Sequence, residues 1–96
     1  MHRLEWKKQA RKDLLSIVEY IAEDSPDSAD KLADDIQTKA EFLHGNPTLY
    51  RIGRKPGTRE LVAHPNYILI YRISGDVVEI LRVKHAAQKW PPGKAG

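Results

Sequence analysis

The chain predicts an α+β fold: an N-terminal strand, an antiparallel helical hairpin, then a small, mostly antiparallel sheet, in the order β-α-α-β-β-β. Two observations carry this. Residues 67–73 (Tyr-Ile-Leu-Ile-Tyr-Arg-Ile) and 77–84 are runs rich in β-branched and aromatic residues, separated by Ser74-Gly75-Asp76, which is a β-hairpin signal. Upstream, residues 8–43 repeat their apolar side chains at helical rather than strand spacing. The two hairpin runs are nearly continuous in apolar residues, so both of their faces are expected to be covered or nearly so. A hairpin alone is marginal in water, and the other segments must supply that cover.

Taken in order, His2 to Trp6 reads as a short strand with Leu4 and Trp6 on one face. From Lys8 the period changes: Ala10, Leu14, Ile17, Val18 and Ile21 form one helical stripe. No Ser, Thr, Asp or Asn precedes Lys7, so this helix is expected to start frayed. Ser25 can cap a second helix and Pro26 suits its first position. Its stripe is Ala29, Leu32, Ala33, Ile36, Ala40 and Leu43, and its alanines let two helices approach closely. Gly45 predicts a left-handed cap and Pro47 a stop. Residues 48–57 are expected to be a loop, 58–62 a short strand, and 63–66 the turn into the main hairpin. Residues 1–90 are read as a single domain and 91–96 as a disordered tail.

The charge is segregated. Residues 1–12 carry +4, residues 13–41 carry −7 and residues 51–96 carry +6. Such a basic face suits an anionic partner: nucleic acid, a nucleoprotein or an acidic peptide. There is no cysteine, which excludes disulfides, thiolate nucleophiles and Cys-type zinc sites. The histidines at 2, 44, 64 and 85 show no metal-ligand spacing, and no phosphate-binding Gly-rich loop or nucleophile elbow is present. No cofactor or metal is therefore expected. No apolar run approaches the roughly 20 residues of a membrane span, and no export signal is visible, so the expected compartment is the cytoplasm.

One constellation remains. Arg51, Arg54, Lys55 and Arg59 come from the loop; Arg82, Lys84, His85 and Lys89 come from the end of the last strand. The strand beginning near Thr58 is expected to lie beside the hairpin and to bring the two groups together. The combined surface suits phosphates or acidic side chains. With His85 as proton acceptor or donor it also suits RNA cleavage, which needs cationic stabilisation of the phosphorane. Tyr67 and Tyr71 are read as core residues rather than stacking platforms.

The order of elements, with Arg59-Glu60-Leu61, Tyr67-Ile68-Leu69-Ile70-Tyr71-Arg72 and Ile80-Leu81-Arg82-Val83-Lys84-His85, resembles the RelE/ParE superfamily of bacterial type II toxins over residues 2–90. The resemblance implies a toxin neutralised by a cognate antitoxin, whose segments order on binding. Within the superfamily the RelE branch cleaves messenger RNA on the ribosome and the ParE branch inhibits DNA gyrase, so a shared fold does not choose between them. RelE-type nucleases place an arginine where this chain has Ile68, and a further basic residue where it has Ala86 and Ala87. The Leu81-to-His85 ending is similar to the ParE type, although some related nucleases use a histidine near this position. The resemblance thus implies gyrase inhibition first, with Arg51, Arg54, Lys55, Arg59, Arg82, Lys84 and Lys89 as target-binding residues. It implies ribosome-dependent cleavage with His85 as catalytic residue second, and an inactive, antitoxin-binding member third.

Overall fold

In a computed structural model the described residues are 3–43 and 45–87. The tail at 91–96, and with it Lys89 and His44, lies outside them. The elements are β1 (Arg3–Trp6), α1 (Lys8–Ala22), α2 (Pro26–Phe42), β2 (Arg51–Ile52), β3 (Arg59–His64), β4 (Tyr67–Ser74) and β5 (Val77–His85). The α+β order is as expected, with one strand more than the sequence predicts. The five strands form one sheet in the order β1-β5-β4-β3-β2. Only the β1–β5 pair is parallel, with Arg3 opposite Val77 and Trp6 opposite Ile80.

Both helices follow from their sequence signals. Ser25 Oγ accepts the Ser28 N–H at 3.3 Å, and Pro26 occupies the first helical position. The start of α1 has no side-chain cap, but it is tied to the sheet, because Lys7 N–H donates to the Ile80 carbonyl at 2.9 Å. The end of α2 differs from expectation. Gly45 does not take a positive φ; the helix ends on Leu43 in a right-handed conformation, and the Asn46 amide donates to the Phe42 carbonyl. A side chain thus satisfies an open carbonyl that a left-handed glycine would otherwise have closed off.

The hairpin packs α1 over β5 and α2 over β3. Ala10, Leu32, Ile36, Ala40 and Leu43 meet Leu61, Leu69, Tyr71, Val78, Ile80 and Val83 in one core. Burying each large side chain contributes about 1.5–3 kcal/mol. Ala29 and Ala40 are buried and Ala33 half-buried, consistent with close helix approach. On β4 the alternation fails in the expected way. Leu69 and Tyr71 face the helices, while Ile68 and Ile70 form a second buried pair on the opposite face. Gly75, at φ +60°, opens the two-residue β4–β5 turn, where a positive φ at the first central position matches the sheet twist.

Two bulges shape the end of the sheet. Ala63 is extra in β3 and Leu81 is extra in β5. Such insertions re-aim neighbouring side chains. β3 consequently runs to His64, two residues beyond the expected Val62. β2 was hidden inside the expected loop. It is only two residues long and closes through Gly53 N–H to the Thr58 carbonyl at 2.7 Å. A Cβ on Gly53 would lie 2.2 Å from Thr58 Oγ1, so only glycine allows the approach.

Tyr71 is fully buried, and its hydroxyl donates to the Pro47 carbonyl at 2.6 Å; burial pushes its pKa up to about 12. This bond seats the 45–50 turn on the core. Tyr71→Phe leaves that carbonyl without its partner and is expected to lower unfolding free energy by about 1–2 kcal/mol. Urea denaturation should show a reduced midpoint with an unchanged slope.

Candidate functional site

The cations that the sequence groups together form two clusters. β4 lies between β3 and β5, so the clusters stand two strand spacings apart, about 10 Å. They share a level on the sheet, since Glu60 pairs with Ile70 and Ile70 with Arg82. The expected adjacency of the two groups is therefore not what the sheet order gives.

The first cluster surrounds Glu60, whose side chain is 1% exposed. Its Oε1 accepts from Arg51 Nη2 at 2.9 Å and Arg54 Nη2 at 3.2 Å, and its Oε2 accepts the Arg54 backbone N–H at 3.0 Å and Arg54 Nε at 3.3 Å. Burial works to raise the Glu60 carboxyl. The Arg54 N–H and guanidinium, with Arg51, outweigh it and hold the carboxyl below the ordinary range. The two arginines remain about half exposed, so the buried carboxylate fixes one end of each fork while leaving the rest in solvent. Arg59 is turned the other way. Its Nη1 donates to the carbonyls of Tyr50 (2.8 Å) and Thr48 (3.4 Å), so it braces the 45–50 turn. Lys55 is exposed at the tip of the loop.

The second cluster lines a groove of about 270 Å³ between α1 and the end of β5, bounded by Asp13, Ser16, Tyr67, Arg82, Lys84 and His85 among others. Asp13 organises it. Oδ2 accepts from Arg82 Nε at 2.7 Å and from the Val83 N–H at 3.0 Å; Oδ1 accepts from Arg82 Nη2 at 3.1 Å and Gln9 Nε2 at 3.2 Å. Burial again pushes the Asp13 carboxyl up, and these hydrogen bonds, Arg82 foremost, bring it below the ordinary range.

His85 packs edge-on against Tyr67, ring centroids 5.2 Å apart, and Tyr67 in turn lies 6.0 Å from His64. His85 Nδ1 accepts the Ala87 N–H at 3.0 Å. In the neutral ring this places the proton on Nε2. The ring so held can donate at Nε2; accepting a proton requires Nδ1 to give up the Ala87 contact.

Sequence reasoning missed the two carboxylates that arrange these cations. Glu60 is the one acid between Glu41 and Asp76 and directly follows the basic stretch 51–59, and that isolation is a usable signal. Asp13 lies 69 residues from Arg82 and offers none. Among the described residues there is no cluster of three or more His, Cys, Asp or Glu residues suited to a metal, and no helix is long and apolar enough to cross a membrane.

Both carboxyls titrate lower in the folded protein than in the unfolded chain. The stability they contribute is fully present above the unfolded carboxylate range, about pH 4, and is lost as pH falls through their folded values. The melting temperature should thus hold from pH 7 to 5 and drop below about pH 4. Glu60→Gln and Asp13→Asn should each lower it at pH 7 and flatten the acid limb, as followed by circular dichroism.

The sequence model described as the ParE toxin of the type II toxin–antitoxin system parDE matches residues 4–90. The chain is 46% identical over 90 residues to Y4kP of Sinorhizobium fredii, covering 93% of both chains. It is 34% identical over 88 residues to the toxin RelE2 of Caulobacter vibrioides, covering 92% of this chain and 99% of that one. Among solved structures it is similar to a chain of the chromosomal ParDE system from P. aeruginosa, with TM-score 0.80 and 27% identity over 88% of this chain and 96% of that one. It also shares its fold with YafQ in the E. coli DinJ–YafQ complex, with TM-score 0.65 and 17% identity over 91% and 96% of the two chains. With a family match across nearly its whole length, the chain belongs to the ParE toxin family of type II toxin–antitoxin systems.

Proposed function

We propose that this toxin arrests growth in the cytoplasm by binding and inhibiting DNA gyrase, and that a cognate antitoxin neutralises it. The observation that carries the choice of target is the ParE family match over residues 4–90, joined by a ParDE neighbour that is more similar in both sequence and structure than YafQ. The surroundings of His85 support it. Ile68, where the cleaving relatives carry an arginine, is buried within the sheet, and Ala86 and Ala87 bring no charge. Arg82 spends much of its charge on Asp13. A phosphorane formed here would lack contacts that each typically contribute about 10²–10³ in rate. A gyrase inhibitor needs a binding surface, and the proposed one comprises Arg51, Arg54, Lys55, Arg82, Lys84 and Lys89, with Arg59 contributing through the 45–50 turn that it braces.

The second reading, ribosome-dependent messenger RNA cleavage, draws on the groove that joins His85, Tyr67 and Lys84. His85→Gln separates the two, because it keeps a polar side chain and removes the titrating nitrogen. Inhibition of gyrase supercoiling by the purified variant should stay within about threefold of wild type, whereas acid–base cleavage would fall by about 10² or more. Wild-type protein that leaves gyrase untouched, yet cuts messenger RNA on ribosomes in a His85-dependent way, would replace the first reading with the second.

The antitoxin complex is expected to bury apolar surface as well as to pair charges. It should therefore persist in 1 M salt, where the screening length is about 3 Å. Gel filtration at low and high salt checks this, and full dissociation at high salt would mean a purely electrostatic interface.

A further inference from the structure

β2 is the outer strand of the sheet. Gly53 N–H donates to the Thr58 carbonyl, and Arg51 pairs with Glu60. The alternation of an antiparallel ladder then turns the main-chain groups of Arg51 inward and those of Ile52 outward. Past Ile52 no further strand lies among the described residues. Ile52 is 75% exposed, and Leu49, in the turn that leads into β2, is 67% exposed. This is an open, apolar edge, the feature that proteins usually blunt or use for recognition.

The charge on this edge names the partner. Residues 51–59 hold Arg51, Arg54, Lys55 and Arg59 and no acid. Arg51 and Arg54 are not loose surface cations: the buried Glu60 holds one side of each guanidinium and leaves about half of each side chain in solvent. A fork fixed in this way offers its remaining N–H donors with less ordering left to do on binding.

We infer that the β2 edge docks an extended acidic segment of the antitoxin, which adds as a strand at Ile52 and sets carboxylates against Arg51 and Arg54. This deepens the antitoxin reading above and rests on it. An apolar side chain of the segment covers Ile52, its main chain pairs with the outward Ile52 groups, and its acids alternate onto the two forks. Glu60 acts here as a positioning residue. Because Arg51 and Arg54 also belong to the proposed target surface, occupying this edge would neutralise the toxin by covering it.

The test uses the toxin with the product of the adjacent open reading frame, followed by residue-resolved amide hydrogen exchange and titration calorimetry. The Ile52 amide should exchange fast in free toxin and become protected in the complex. Ile52→Glu, at a site outside every core cluster, should weaken the complex by about tenfold or more, and Arg51→Gln should weaken it and reduce its salt dependence. A complex of wild-type affinity in both variants, with the Ile52 amide unprotected, would overturn this docking site while leaving the antitoxin reading intact. Absence of any complex would overturn both. Protection of Ile52 in toxin alone that grows with concentration would assign the edge to a second copy and likewise overturn it.

Discussion

The Asp13 carboxylate is the polar tie between α1 and the exposed end of β5. β1 pairs with β5 only as far as Ile80, and the bulge at Leu81 then carries β5 beyond its neighbour. The Val83 N–H faces the space where a strand would otherwise be. Asp13 fills that space, taking the Val83 N–H and the Arg82 guanidinium together. Without it the edge would expose an unsatisfied donor, and α1 would lose its polar register on the sheet. Together with the apolar core beneath α1, this contact holds one wall of the groove that Arg82, Lys84 and His85 line.

Much of the fold is legible in the sequence because local chemistry and global packing agree there. Ser25-Pro26 starts α2, the apolar runs around Gly75 make β4 and β5, and the alanines of α2 permit the helix pair. What was not legible depends on distant partners. β2 exists because Glu60 holds Arg51 and because Gly53 fits against Thr58, neither of which has a periodic signature. The end of α2 looked like a glycine cap and is instead closed by Asn46. The site was legible as a list of cations but not as an arrangement. Strand order, not composition, decides that β4 separates them, and Glu60 and Asp13 decide which charges are spent internally.

This distribution of charge bears on chemistry. A surface arginine with a buried carboxylate behind it is well placed to grip a partner and poorly placed to follow charge developing in a transition state, since part of its field is already neutralised. The hydrogen bond from Ala87 to His85 Nδ1 acts in the same direction, by occupying the nitrogen that a general base would use. Both features fit the proposed binding role.

The parallel pairing of β1 with β5 has a consequence in time. Residues joined there are more than 70 positions apart in a chain of 96. Translation proceeds at about 5–20 residues per second, so the first-made strand waits several seconds for its neighbour. Asp13 waits equally for Val83. Until the last strand leaves the ribosome, the sheet lacks its β5 half and the groove has no floor. The groove that Asp13, Arg82 and His85 share therefore forms only after residues 82–85 have emerged, seconds after the helix that lines it.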